Sequence, residues 1–239
     1  MDGKTFLKDG LEQLYIEADN KTIEKLINFK SLLLEWNEKI NLTAITDEKE
    51  IYIKHFLDSA TCLSTGYIND GDKIIDIGTG AGFPGLVIKI LKNNIDITLL
   101  DSLKKRMTYL ENAVTNIDLD NVKIIHGRAE EYGVLNGHRE SYDIALSRAV
   151  ASLNVLSEYC IPFVKVGGYF ICQKGPNYFD ELKEAEKAIN TLGGKVEDIK
   201  KFILPYSDIT HYIIIIKKMS STPTKFPRKP GKPSTNPIK

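Results

Sequence analysis

The chain has 239 residues, 42% of them hydrophobic and 27% charged, which is long enough for one α/β domain with a sizeable core plus a smaller unit. Its formal charge is zero, yet seven basic residues and no acid lie between Lys217 and Lys239. The other 25 basic residues face 32 acidic ones, a net −7 that excludes nucleic-acid binding by bulk attraction and confines it to a local patch and the tail.

Residues 1–65 read as a helical cap. Leu26, Phe29, Leu33 and Trp36 repeat at three- and four-residue spacing. Asp47 followed by Glu50 predicts a capping box opening a helix that runs through His55-Phe56-Leu57-Asp58 to Leu63. Over 66–218, strands predicted at 73–77, 96–100, 122–126, 142–147 and 168–174 alternate with helices near 84–91, 103–114, 153–160 and 180–192. That alternation predicts a parallel sheet covered on both faces. Two further strands, 195–203 and 211–217, are joined by a short turn around Pro205-Tyr206-Ser207-Asp208 and must pair antiparallel. The expectation is a Rossmann-like α/β fold with a seven-stranded, mostly parallel sheet whose last strand is antiparallel. Residues 219–239 hold five of the nine prolines and should form an extended, mobile basic tail.

Cys62, Cys160 and Cys172 are widely spaced in apolar surroundings, which suits buried free thiols in a reducing cytosol and no metal site. The first residues are polar, and no apolar run approaches membrane-spanning length. A cytoplasmic protein with no membrane partner is expected.

The run Asp76-Ile77-Gly78-Thr79-Gly80-Ala81-Gly82-Phe83-Pro84-Gly85 follows the first predicted strand and opens the next helix. Strand, glycine-rich turn and helix N-terminus make a site where backbone can approach a ligand. Gly80-x-Gly82-x-x-Gly85 also fits a dinucleotide pattern, and Asp101, at the end of the next strand, suits ribose hydroxyls in either case. Asp76, better matched to an amino-bearing ligand than to a pyrophosphate, favours S-adenosylmethionine, as does the lack of a second nucleotide-binding half.

For that cofactor, the methyl acceptor should show after the fourth strand, in Ser147-Arg148-Ala149. There is no Asn/Asp-Pro-Pro-Tyr/Phe clamp for an exocyclic amine. There is no well-placed cysteine for pyrimidine C5 either, since Thr61-Cys62 precedes the domain. Guanine N7 fits, because its lone pair is free and needs only positioning. An arginine forked onto O6 and N7 would block that acceptor, so Arg148 must contact O6 alone, a phosphate or the cofactor. A salt bridge to Asp101 or Asp143 is its structural alternative. Arg128 lies on the same rim past the third strand, with a surface pair to Glu130 or Glu131 as alternative. Lys104-Lys105-Arg106 read as the solvated first turn of a helix.

Trp36-Asn37-Glu38-Lys39-Ile40-Asn41-Leu42-Thr43, His55-Phe56-Leu57-Asp58-Ser59, the glycine run, Leu100-Asp101-Ser102-x-x-Lys105-Arg106, Arg128-Ala129-Glu130, Ser147-Arg148-Ala149 and Phe226-Pro227-Arg228-Lys229-Pro230-Gly231 together resemble the RsmG (GidB) family. These are bacterial small-subunit (16S) ribosomal RNA guanine-N7 methyltransferases. The resemblance spans nearly the whole chain. It implies S-adenosylmethionine at Gly78, Phe83, Ala129, Glu130 and Arg148, beside Asp76, Gly80, Gly82 and Asp101. It also implies a ribosomal RNA substrate within the small subunit, with ribosomal proteins present, and Arg148 and Arg128 are the catalytic candidates. In this reading Phe83 packs on the cofactor and Ala129 and Glu130 frame the adenine, while Asn41, His55 and Asp58 either close the cleft or serve as caps. A monomer is expected. The rival readings are an RNA-binding or assembly module without turnover and a small-molecule methyltransferase, the latter giving no reason for a basic tail.

Overall fold

A computed structural model describes residues 2–148 and 151–239; Ala149 and Val150 lie outside the described residues. Two helices open the chain, α1 (Gly3–Gln13) and α2 (Asn20–Ile40). Asp19 caps α2, its Oδ1 accepting from Thr22 N at 2.7 Å. Asn41 closes it in the left-handed conformation (φ 49°), so the asparagine of the first motif is a helix C-cap. Asp47 caps α3 (Glu48–Ile51), accepting from Glu50 N at 3.0 Å, but Glu50 pairs with Lys54, so only half of the expected capping box is present. The predicted single helix to Leu63 is corrected here. A π-helical segment, Tyr52–Leu57, interrupts it before α4 (Asp58–Ala60), and such insertions recur at functional sites.

The sheet contains β1 (Lys73–Ile77), β2 (Asp96–Asp101), β3 (Val122–His126), β4 (Tyr142–Arg148), β5 (Val164–Lys174), β6 (Gly194–Ile203) and β7 (Thr210–Lys218) in the order β3-β2-β1-β4-β5-β7-β6. β1 to β5 pair in parallel, and β7 runs antiparallel to both β5 and β6. β5 starts four residues before the predicted boundary, because Val164 pairs with Tyr142 across a bulge. Central β1 is apolar on both faces, Ile74, Ile75 and Ile77 being 0–2% exposed, as a strand roofed twice requires. One roof is α2 with α5 (Gly85–Leu91) and α6 (Lys104–Ile117), and Trp36 Nε1 donates to Asn112 Oδ1 between α2 and α6 at 3.1 Å. The other is α8 (Leu153–Cys160) with α9 (Tyr178–Thr191). Strand order reverses between β1 and β4, which opens a crevice at their carboxyl ends.

The expected mobile tail is packed on the body. Lys218 Nζ is buried and donates to Ile161 O (2.9 Å) and Thr222 Oγ1 (2.6 Å), beside Glu140 at 3.2 Å. Arg139 donates to the carbonyls of Thr222 (2.6 Å) and Phe226 (2.7 Å). Phe226 enters the core at 6% exposure. Arg228 grips Glu158 of α8 through Nε (2.9 and 3.1 Å) and Nη2 (2.6 Å), and a short helix α10 (Lys232–Thr235) follows. Composition pointed to a linker, but Phe226 is buried in the core and Arg228 has a buried partner in Glu158.

Candidate functional site

The turn after β1 lines a cavity of about 600 Å³ at the crevice, within the range of small-molecule sites. Gly78, Thr79, Gly80, Ala81 and Phe83 form one wall, Asp101 and Arg106 another, and Arg128, Ala129 and Glu130 a third. Gly80 has φ 60°, where a side chain is strained, and its N–H donates to Asp101 Oδ2 at 2.9 Å. The same oxygen accepts from Arg106 Nη1 at 2.8 Å, and Asp101 Oδ1 accepts from Leu103 N at 2.9 Å. The buried Asp101 therefore fixes the glycine turn, and Arg106, read from sequence as solvated, covers the carboxylate.

Two expected contacts lie behind the wall. Asp76 is fully buried and absent from the cavity lining; its Oδ2 accepts from Gly85 N at 2.9 Å. Burial pushes its carboxyl up to about 6, against the Thr79 hydroxyl and the Gly85 N–H, which pull it down. Asp76 Oδ1 and Thr79 Oγ1 nevertheless lack hydrogen bonds of good geometry. Gly82 is also outside the lining, and a Cβ there would sit 2.6 Å from Leu86, so its role is to let the turn pack on α5.

At the far end, Ala129 and Glu130 open α7 (Ala129–Tyr132). Buried Glu130 accepts from Gly231 N of the tail at 2.9 Å through Oε1. Tyr159 and Ser234 complete that end, so the tail forms part of the wall. Arg128 stands half-exposed on the rim, 3.9 Å from Glu130 Oε2.

Arg148, at the end of β4, faces neither Asp101 nor Asp143. Its Nη1 donates to Asp58 Oδ2 at 2.6 Å and to Lys54 O at 3.2 Å, and its guanidinium lies 5.2 Å over the Phe83 ring. Asp143 instead pairs with Lys165 and accepts from Lys73 N. The other Asp58 oxygen binds His211 Nδ1 at 2.5 Å, and Gln173 Nε2 donates to Asp58 O at 2.7 Å. Burial would raise the Asp58 carboxyl, but the His211 hydrogen bond and the Arg148 charge outweigh it, and the group is held below the usual range. Asp58 thus ties the cap to β4 and β7.

His55 stacks on Phe83 (4.7 Å, 19°), and its Nε2 meets Thr43 Oγ1 at 2.8 Å. Asn37 Oδ1 accepts from Leu42 N (2.6 Å) and Thr43 N (2.8 Å), which brings Thr43 to the cavity. Burial and the Arg148 charge push the His55 imidazole down to about 4, so it is neutral and a poor base near neutral pH. All three cysteines are buried free thiols whose pKa burial pushes well up, that of Cys172 to about 12. None supplies a thiolate nucleophile. Among the described residues there is no His/Cys/Asp/Glu group able to hold a metal, and no helix is long and apolar enough to cross a membrane.

A second cavity, also about 600 Å³, adjoins the first, and His55, Arg148 and Ala151 line both. Its remaining wall is Lys54, Asp58, Gln173, Lys174, Gly175, Glu181 and His211. Sequence reasoning missed His211 and Gln173 entirely, and read Arg106 as part of a solvated turn although it covers Asp101. Arg128 lines only the first cavity, so the two arginine candidates meet there and only Arg148 reaches the second.

Solved structures share this fold. The chain aligns with the putative methyltransferase in a complex with the Haloferax volcanii Trm112 methyltransferase activator at TM-score 0.56 and 14% identity, covering 73% of this chain and 94% of that one. A SAM-dependent methyltransferase of Methanosarcina mazei aligns at TM-score 0.52 and 16% identity, covering 66% and 97%. Curated relatives are far nearer. The ribosomal RNA small subunit methyltransferase G of Alkaliphilus oremlandii is 56% identical over 239 residues, and that of Alkaliphilus metalliredigens 53%, each covering all of both chains. With residues 22–210 also matching the family model for rRNA small subunit methyltransferase G, the chain belongs to the GidB family.

Proposed function

We infer that the chain transfers a methyl group from S-adenosylmethionine to guanine N7 of small-subunit ribosomal RNA, acting as a monomer on the small subunit in the bacterial cytoplasm. The observation that carries this reading is the junction of the two cavities at Arg148, where no thiolate stands and His55 is too weak a base to activate an acceptor. Such a junction suits a nucleophile that needs positioning only.

The cofactor supplies an electrophilic methyl on a sulfonium. The walls fit it: the Gly80 turn allows backbone approach, Asp101 presents a carboxylate where ribose hydroxyls would lie if Arg106 gives way, and Ala129, Glu130 and Tyr159 bound the adenine end. In the transfer the N7–C bond forms as the S–C bond breaks, and the positive charge passes from sulfur to the purine without proton removal. Arg148 is anchored by Nη1 on Asp58, and its other N–H groups, which meet no acceptor among the described residues, can orient the base. The basic rim of Arg128 and the tail lysines would meet phosphates.

A second reading has one observation in its favour. The His211–Asp58 pair could accept a proton, which a hydroxyl or amine acceptor would require. The test is to incubate the protein with methyl-labelled S-adenosylmethionine and small subunits that lack the modification, then map the label. Label on guanine N7 supports the reading; label on ribose or an exocyclic amine, or none, overturns it.

A further inference from the structure

The second cavity has a donor and acceptor pattern beyond what positioning a methyl acceptor demands. Asp58 is 2% exposed, and its two carboxylate oxygens hold two different side chains on the cavity wall, Arg148 by Oδ2 and His211 by Oδ1. An ionised carboxylate only accepts hydrogen bonds, so Nδ1 of His211 is the donor to it, and the tautomer this selects leaves the Nε2 lone pair as an acceptor. Arg148 has only donors. One wall therefore offers a fixed donor beside a fixed acceptor, both anchored on the same buried group. On the same wall, buried Gln173 donates from Nε2 to Asp58 O at 2.7 Å and so helps to fix that residue.

The Watson–Crick edge of guanine is the complement of this pattern. O6 accepts and N1–H donates, whereas adenine presents an amino donor and a bare N1 in the same places. We propose that the second cavity seats an unstacked guanine, with Arg148 donating to O6 and His211 Nε2 accepting from N1–H, and with Asp58 as the positioning residue for both. This rests on the N7 reading and explains how an arginine can read guanine without blocking N7. The base is held by its Watson–Crick edge, and N7 stays directed at the first cavity. A flipped base read by that edge is general among enzymes that act on bases.

The test separates the seat from the reaction. Protein saturated with S-adenosylhomocysteine is titrated with GMP, IMP and AMP by ligand-observed NMR. IMP keeps O6 and N1–H and should bind within about tenfold of GMP, with AMP at least tenfold weaker than GMP. His211→Phe should lower GMP binding at least tenfold and abolish the preference over AMP, while S-adenosylhomocysteine affinity stays within twofold. His211→Gln keeps a carbonyl acceptor and should restore part of the preference. His211 is 28% exposed at the side chain, so neither variant removes a core group. AMP bound as tightly as GMP, no nucleotide bound, or a preference that survives His211→Phe would each overturn the seat. If subunits are labelled at N7 while the nucleotides show no discrimination, the seat is wrong and the reaction stands; if subunits are not labelled at N7, the reaction reading itself has failed.

Discussion

Arg228→Ala should do more damage than its surface position suggests. Its partner Glu158 is 1% exposed and accepts four contacts from Arg228, the backbone N included, so removing the guanidinium leaves a buried carboxylate without its countercharge. Breaking a buried pair in this way costs about 3–5 kcal/mol. In a domain of this size each kcal/mol lowers the melting temperature by roughly 2–4 °C. A fall of roughly 6–20 °C is therefore expected if the tail and body unfold together. If the tail peels away first, the loss is smaller but the cofactor end must respond, because Gly231 and Ser234 sit there. Melting by circular dichroism and calorimetric titration with S-adenosylhomocysteine read both routes. Arg228→Lys should recover less than half, since an ammonium cannot reproduce the fork, and Glu158→Gln combined with Arg228→Ala should be milder than Arg228→Ala alone. Unchanged melting together with unchanged affinity in Arg228→Ala would refute the docked tail.

Single-turnover methyl transfer should be flat from about pH 6.5 to 9, because an N7 acceptor loses no proton; Arg148→Ala should slow it and Arg148→Lys recover little. A rate climbing tenfold per pH unit would instead make the His211–Asp58 pair a general base. Asp101→Ala should weaken S-adenosylhomocysteine binding beyond one charge-assisted hydrogen bond, roughly 1.5–3 kcal/mol, since the Gly80 turn and Arg106 also lose their anchor; unchanged calorimetric affinity would remove Asp101 from the site. Asp76 is raised in the folded protein to about 6, so the stability it contributes is present below the unfolded value near 4 and lost as pH rises through about 6. Asp76→Asn keeps the acceptor for Gly85 N and cannot ionise, so urea unfolding at pH 7.5 should show a gain of up to about 3 kcal/mol, with cofactor affinity within a few-fold; an unchanged pH slope would show that Asp76 is not the group responsible.

The sheet was legible because its strands are short apolar runs bounded by glycine and charge, and because the glycine turn follows the first of them. The order of β1 and β4 then places that turn and Arg148 in one crevice. The partner of Arg148 was not legible. Asp58 lies 90 residues away and His211 a further 153 from Asp58, and a π segment directly precedes Asp58. Asp76 misled for a related reason: a carboxylate at a strand end reads as a ligand contact, and only its burial shows that it serves the Gly85 turn. The tail was misjudged on composition, since proline and lysine suggest a linker. Glu158, an acid inside the apolar run Leu153–Cys160, was the one signal that a cation must come to α8.

The docked tail also has a consequence in time. Ser234 lines the same cavity as Gly78, and Gly231 holds Glu130 there, so the whole site exists only after every strand has been synthesised. At 5–20 residues per second, Arg148 is synthesised roughly 4–17 s before Ser234. During that interval the nascent chain carries the glycine turn and Arg148 but not the Ser234 part of the cofactor end, so cofactor binding should lag behind synthesis of the central strands.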